Sequence, residues 1–284
     1  MQKLDQWPLK ARQVITGVLT DIDDTLTTDG AITQHALAAL ADLKAAGLPV
    51  IAVTGRPVGW SEPFALAWPL NAIVAENGAV ALFRKIDPEK ADLEHKNGLQ
   101  PHENLGKQLS KRYQQGQRTR QENFARMQRV AARVLQGVPG AQLAQDSAGR
   151  ETDIAIDPSE FTTLSPGRIH EVLRIMRSEG MTASVSSIHI NGWFGPHNKL
   201  QGARWAVREL LGRDLEAEVA QWVFIGDSTN DELMFEAFPN SVGVANVRRF
   251  EAQLIVKPRY IAGEKRGAGF AEFVQALLAA RKTS

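Results

Sequence analysis

The chain contains no cysteine. That excludes disulfides, zinc–thiolate centres, iron–sulfur clusters and thiol nucleophiles. Six scattered histidines argue further against a zinc site. An excess of either charge is also missing: 33 Lys and Arg stand against 32 Asp and Glu, a formal net charge of +1. The field of the whole molecule therefore does not recruit polyanions, and no nucleic-acid partner is expected. There is no long apolar run. The most apolar region, residues 63–83, is broken by Pro69, Asn71, Glu76 and Asn77, so no membrane span is expected. The opening MQKLDQWPLKARQ lacks the apolar core of a secretory signal, and a cytoplasmic location is expected. What is present is ordinary for a globular protein. At 43% hydrophobic over 284 residues, the chain can build one large core or two ordinary ones.

Short apolar runs alternate with helical periodicity at both ends of the chain, as in a parallel α/β sheet. Val14 to Thr20, Pro49 to Val53 and Gln221 to Ile225 read as buried strands, and NSVGVAN and PRYIA as two shorter ones. Thr33 can cap a helix carrying Leu37, Leu40 and Leu43 that stops at Gly47. Asn77-Gly78 supplies a hairpin turn inside NAIVAENGAVALF. Asn198 to Leu211 and Gly267 to Lys282 read as helices. The middle differs. Residues 107–134 hold eight Lys or Arg and one Glu, and Phe124, Met127, Val130 or Ala131, and Val134 recur at helical spacing. ETDIAID alternates like a strand, Ser165 to Gly180 reads as a helix, and MTASVSSIHINGWFG as a strand with an Asn191-Gly192 turn signal. The expected fold is α/β: a doubly wound parallel-sheet, Rossmann-like core from 1–82 and 195–284, with a smaller α+β domain, 83–194, inserted.

The stretch VLTDIDDTLTTDG, Val18 to Gly30, ends an apolar strand in acid. Like charges about 4 Å apart repel by roughly 4 kcal/mol at an effective dielectric near 20. Asp21 with Asp23, Thr54 and Asp227 all fall at C-terminal ends of expected parallel strands, where open α/β sheets bind ligands. Lys199 opens a helix after the insertion. Clustered carboxylates call for a cation, and a purely oxygen donor set selects a hard one such as Mg2+. Asp21 can then attack a phosphorus, Asp23 can serve as acid and base, and Thr54 and Lys199 can hold the phosphoryl oxygens.

These residues resemble a known family. DIDDT, Thr54 in VTGRP, Lys199 in HNKLQG and GDSTND (Gly226 to Asp231) match, in order and spacing, the four motifs of the haloacid dehalogenase superfamily. VTGRP, AENGA and IGDSTND resemble its Cof-type, sucrose-phosphatase-like branch (type IIB), which inserts an α/β cap between the second and third motifs. The resemblance implies Asp21 as nucleophile and Asp23 as general acid/base. It also implies magnesium held by the Asp21 side chain, the Asp23 carbonyl and Asp227, with Asn230 and Asp231 as further metal-shell or Lys199-orienting groups. The basic helix expected from Lys107 to Arg133 and the loop around Pro101 have no counterpart in that branch.

Other residues admit two readings. Asp24 and Asp29 fit turns better than catalysis. Arg56 is a candidate substrate contact or a loop residue, and Asn77 a substrate contact or a turn residue. His189, Asn191, Trp193 and His197 are candidates for reading the leaving group, or are structural. The basic stretch reads first as a solvated face, then as a mouth that attracts an anionic substrate. The expected activity is Mg-dependent hydrolysis of a small phosphorylated metabolite, a sugar phosphate by preference. The alternatives are a phosphoryl-transferring mutase and a non-enzymatic phospho-accepting signalling module.

Overall fold

The computed structural model describes residues 1–86 and 107–281; the loop expected around Pro101 lies outside them. In chain order the first strands are β1 (Gln2–Lys3), β2 (Gly17–Thr20), β3 (Thr27–Thr28), β4 (Ala31–Ile32), β5 (Val50–Val53), β6 (Ala72–Ala75), β7 (Val80–Ile86) and β8 (Lys107–Tyr113). They are followed by β9 (Ile154–Ile156), β10 (Thr182–Val185), β11 (Ile190–Trp193), β12 (Trp222–Gly226), β13 (Ser241–Gly243) and β14 (Tyr260–Ile261). The helices are α1 (Leu9–Gln13), α2 (Gln34–Ala45), α3 (Val58–Ala67), α4 (Gln117–Gly137), α5 (Pro166–Ser178), α6 (Lys199–Leu211), α7 (Glu232–Ala237) and α8 (Arg266–Arg281).

The main sheet runs β1-β14-β13-β12-β2-β5-β6-β7-β8. It is parallel from β1 to β6 and antiparallel at β7 and β8. Every residue of β2, β5 and β12 is buried, because helices cover both faces, and such strands read as continuous apolar runs. Successive side chains still point to opposite faces. Val18, Val50, Ala52 and Ile225 pack with Leu40 and Leu43 of α2 and Phe273 and Leu277 of α8. Leu19, Ile51, Val53 and Phe224 pack with Ala203 and Val207 of α6 and Phe235 of α7. The helix from Thr33 forms as expected, with the Thr33 hydroxyl accepting from the Ala36 N–H at 3.2 Å, although Leu37 faces solvent. The Asn77-Gly78 hairpin is also present, with positive φ at Glu76, Asn77 and Gly78.

A second sheet, β10-β11-β9, is antiparallel and packs with α4 and α5 around Met127, Val134, Ile156, Val172, Met176 and Ile190. Four expectations for this middle region need correction. The basic stretch is not one helix from Lys107: residues 107–113 form β8, and the helix starts at Gln117, after Gly116. KQLSKRY places Leu109 and Tyr113 on one face of a strand, where they pack against the main core, and its charged residues suit a sheet edge. The main sheet therefore extends past the boundary expected at residue 82. Asn191 and Gly192 lie inside β11, not in a turn; the reversal is at Ser186–His189, where the Ser186 N–H donates to the His189 carbonyl at 2.8 Å. Finally, Phe124, read as apolar-face, is 42% exposed.

Candidate active site

The C-terminal ends of β12, β2 and β5 lie side by side, so residues 21, 54 and 227 emerge together. The chain leaves β2 through Asp21, whose N–H donates to the Ile225 carbonyl at 2.9 Å. It then turns sharply at Asp24, φ 55°, and the N–H groups of Thr25, Leu26 and Thr27 all donate to the Ile22 carbonyl. Asp21 and Asp23 are thus fixed on a tight loop and both buried.

Lys199 is delivered from the first turn of α6. Its ammonium donates to Asp21 Oδ1 at 2.5 Å and to Asp231 Oδ1 at 2.7 Å. The other oxygen of Asp231 accepts from the Asp227 N–H at 2.9 Å and the Ser228 N–H at 3.2 Å. Asp231 therefore spends both oxygens on aiming Lys199 and shaping the GDSTND loop. Asn230 accepts from the Ser228 hydroxyl at 2.9 Å. α6 reaches this position because its backbone lies directly on the hairpin: a Cβ on Gly202 would sit 2.3 Å from Gly78 Cα.

Asp21, Asp227 and Asp231 each present an oxygen within 4.8 Å of the others, all buried. Burial pushes Asp21 up to about 8, with Asp231 and Asp23 adding to the rise and Lys199 opposing it. Asp227 is raised well above its usual range by burial and then by Asp21 and Asp231. Asp23 is raised by burial against the pull of Arg56. Lys199 is held charged by Asp21 and Asp231 despite its burial. Asp227 Oδ2 accepts from Asn246 Nδ2 at 2.9 Å, while its Oδ1 is buried with no hydrogen-bond partner. A buried carboxylate oxygen without a donor, beside two further carboxylates, fits a divalent cation, which prefers such oxygen donors.

The remaining candidates separate into two groups. Thr54 is buried at the end of β5, its hydroxyl accepting from the Arg56 N–H at 3.0 Å. Arg56 Nε donates to Asp23 at 2.9 Å. Asn191 Nδ2 donates to the Gly55 carbonyl at 3.3 Å and to Asp153 at 2.9 Å, and Asn77 Nδ2 to the same Asp153 oxygen at 3.4 Å. His189 Nδ1 accepts from Arg150 Nη2, which can only donate, so the proton is on Nε2, 3.2 Å from Glu160. A void of about 10 Å³, room for a single water, is lined by Asp21, Asp23, Gly55, His189, Ser228 and Asn230 among others. Trp193 and His197 do not line it; they stack on each other at 5.6 Å. Asp24 and Asp29 bind Arg266, and Asp24 also Arg249, outside the triad.

Several buried residues beside the site are not among the sequence candidates. Glu76, at φ 49°, accepts from the N–H groups of Val58, Glu151 and Thr152 and the Thr152 hydroxyl, tying the second sheet's lead-in to the main sheet. Arg150 binds Asp153, Asp146 and the Gly55 carbonyl. Apart from the local bonds of Arg150 to Asp146 and Asp153, these contacts join residues 18 to 95 apart in the chain, and no local pattern announces them. Asn246 was findable, because it follows β13 and so also lies beyond the end of a parallel strand.

Residues 18–117 match the model of the haloacid dehalogenase-like hydrolase family. No curated protein matches the chain. Among solved structures, a Thermoplasma acidophilum protein aligns with TM-score 0.62 at 15% identity, over 93% of this chain and 98% of its own. The sucrose-phosphatase of Synechocystis, solved with sucrose and phosphate, aligns with TM-score 0.58 at 15% identity, over 92% and 97%. A haloacid dehalogenase/Cof-like hydrolase of Plasmodium vivax aligns with TM-score 0.57 at 13% identity, over 96% and 99%. At these identities the structural likeness speaks for the fold. The family match covers the strands that bear Asp21, Asp23 and Thr54, so this part of the chain is similar to the haloacid dehalogenase-like hydrolases, and the structural likeness extends the shared fold over the rest.

Proposed function

We propose that this protein is a magnesium-dependent phosphatase of small phosphorylated metabolites, with sugar phosphates the favoured class. The observation that carries the reading is the buried set of Asp21, Asp227 and Asp231 around Lys199, in which Asp227 Oδ1 has no donor. A magnesium ion held by Asp21, Asp227 and the Asp23 carbonyl would neutralise the carboxylates and draw charge from the phosphoryl oxygens.

The chain's own residues supply the rest. A carboxylate oxygen of Asp21 attacks phosphorus. The bond from phosphorus to the ester oxygen breaks, its electron pair stays on that oxygen, and Asp23 delivers the proton that makes it an alcohol. Asp23 then takes a proton from water as the water oxygen attacks phosphorus. The bond to Asp21 breaks, releasing orthophosphate and the free carboxylate. Lys199, fixed by Asp231, and Thr54 stabilise the charge on the transferring group. The elements between residues 117 and 194 act as a cap: at the void of about 10 Å³ they exclude bulk water, and they must lift for substrate to enter.

The test is phosphate release from p-nitrophenyl phosphate with and without magnesium. Wild-type turnover should stop on chelation and return with the metal. Asp21→Asn should abolish it, and full activity in that variant would overturn the mechanism. A panel of sugar phosphates then assigns the substrate. A product that keeps its phosphate on another carbon would point to a mutase instead.

A further inference from the structure

Arg56 faces three carboxylates from three distant parts of the chain. Its Nε donates to Asp23 Oδ1 at 2.9 Å, Nη1 lies 3.3 Å from Asp146 Oδ2, and Nη2 lies 3.3 Å from Glu160 Oε1. The sequence separations are 33, 90 and 104 residues. Asp23 belongs to the loop of the nucleophile; Asp146 and Glu160 belong to the cap. The Trp60 ring, 5.0 Å from the guanidinium carbon, covers one side of the group.

Both cap carboxylates are held from behind. Asp146 Oδ1 accepts from Arg150 Nη2 at 3.0 Å and from its Nε at 3.3 Å. Glu160 Oε2 is 3.2 Å from His189 Nε2, and the Glu160 N–H donates to Asp157 Oδ1 at 2.7 Å. The turn carrying Asp146 is pressed against α3, where a Cβ on Gly59 would lie 2.9 Å from Gly149 Cα. Each carboxylate is therefore a fixed bridge that spends one oxygen on a cap base and the other on Arg56.

A guanidinium is a rigid fork, and with all three of its nitrogens engaged its plane is set. Asp23 is bound to that fork through Oδ1, while its Oδ2 makes no hydrogen bond among the described residues and is left to hold the proton for the ester oxygen. When the cap lifts, Asp146 and Glu160 go with it, and Arg56 keeps Asp23 as its single partner of the three. The geometry points to Asp146 and Glu160 as positioning residues that act through Arg56 on Asp23, so that the acid/base carboxylate is locked in place when the cap is seated. This rests on the phosphatase reading above and adds that proton delivery is coupled to closure.

The experiment is kcat/KM on aryl phosphates of graded leaving-group acidity, with the magnesium-loaded full chain. It reads the transfer of the phosphoryl group from ester to Asp21. In Asp146→Asn and Glu160→Gln the phenyl ester should slow by about tenfold to a hundredfold, and the 2,4-dinitrophenyl ester, which needs little proton donation, by about threefold or less. In an Arg56→Lys background the two substitutions should add little further steepening. Equal slowing of all esters, or the same steepening whether or not Arg56 is present, would overturn the coupling. Asp21→Asn measured alongside keeps the two readings apart. If Asp21→Asn is active, the mechanism fails; if it is dead while the cap variants keep the wild-type leaving-group slope, the coupling alone fails.

Discussion

Asp227 shows how one side chain acquires a role through its neighbours. By itself it is an aspartate in a Gly-Asp-Ser loop. In the fold it is fully buried beside Asp21 and Asp231, Asn246 occupies one of its oxygens, and the other has no donor. Leaving a buried acceptor unsatisfied costs about 1–3 kcal/mol, more for a charged group, and a bound cation removes that cost. Magnesium should therefore stabilise the fold. At a hundredfold excess over its dissociation constant the gain is about 2.7 kcal/mol, or roughly 5–10 °C in Tm for a chain of this size. Asp227→Asn should lose at least half of that shift in a thermal melt, with no reliance on turnover. An identical shift in the variant would remove Asp227 from the metal site.

At the scale of the element, the site depends on how α6 is seated. Lys199 meets Asp21 because the N-terminal turn of α6 rests on the hairpin at Glu76–Gly78, with Gly202 against Gly78. Both contact atoms are backbone, so neither can move aside cheaply. Gly202→Ala should cost about 1–3 kcal/mol, the usual range for overpacking, and should lower turnover by shifting Lys199. Gly167 in the first turn of α5 is the control: its Cβ position is open and its φ is not positive. Gly167→Ala should be neutral or stabilising by up to about 1 kcal/mol. Chemical denaturation compares the two, and equal stability of both variants would refute the packing claim. The same element shows what sequence reading can and cannot see. The helix at 198–211 was legible from its periodicity, and in the structure Asn198 caps it by accepting from the Gln201 N–H. Its contact with a turn more than a hundred residues earlier was not, because two glycines mark a close approach only once their partners are known.

Across the whole molecule, the buried carboxylates make stability depend on pH in a defined sense. Asp21 is pushed up from 3.8 to about 8 and Asp153 to about 7, both mainly by burial. A carboxyl with a raised pKa binds its proton more tightly when folded. The stability this contributes is present below its unfolded pKa and is lost as pH rises toward the folded value. His197, driven down to about 4 by burial, acts in the opposite sense, but only below its ordinary 6.5. From pH 6.5 to 8 the chelated protein should therefore become less stable, Asp21→Asn should decline less, and magnesium should restore more at pH 8 than at 6.5. A Tm that rises across this window without metal would contradict the assignment. The sequence by itself determined the parallel α/β layers and the order of the four motifs, and it placed Asp21, Asp23, Thr54 and Asp227 beyond the ends of parallel strands. Those follow from short-range hydrophobic period and from the rule that side chains collect beyond the ends of parallel strands. Only the tertiary structure decided that 107–113 is a strand of the main sheet, that Asn191 lies inside a strand, that Asp146 and Glu160 stand against Arg56, and that Arg150 reaches the Gly55 carbonyl. Those placements depend on pairing and packing between segments far apart in the chain, where a local pattern fits strand, helix or loop and only the partner decides.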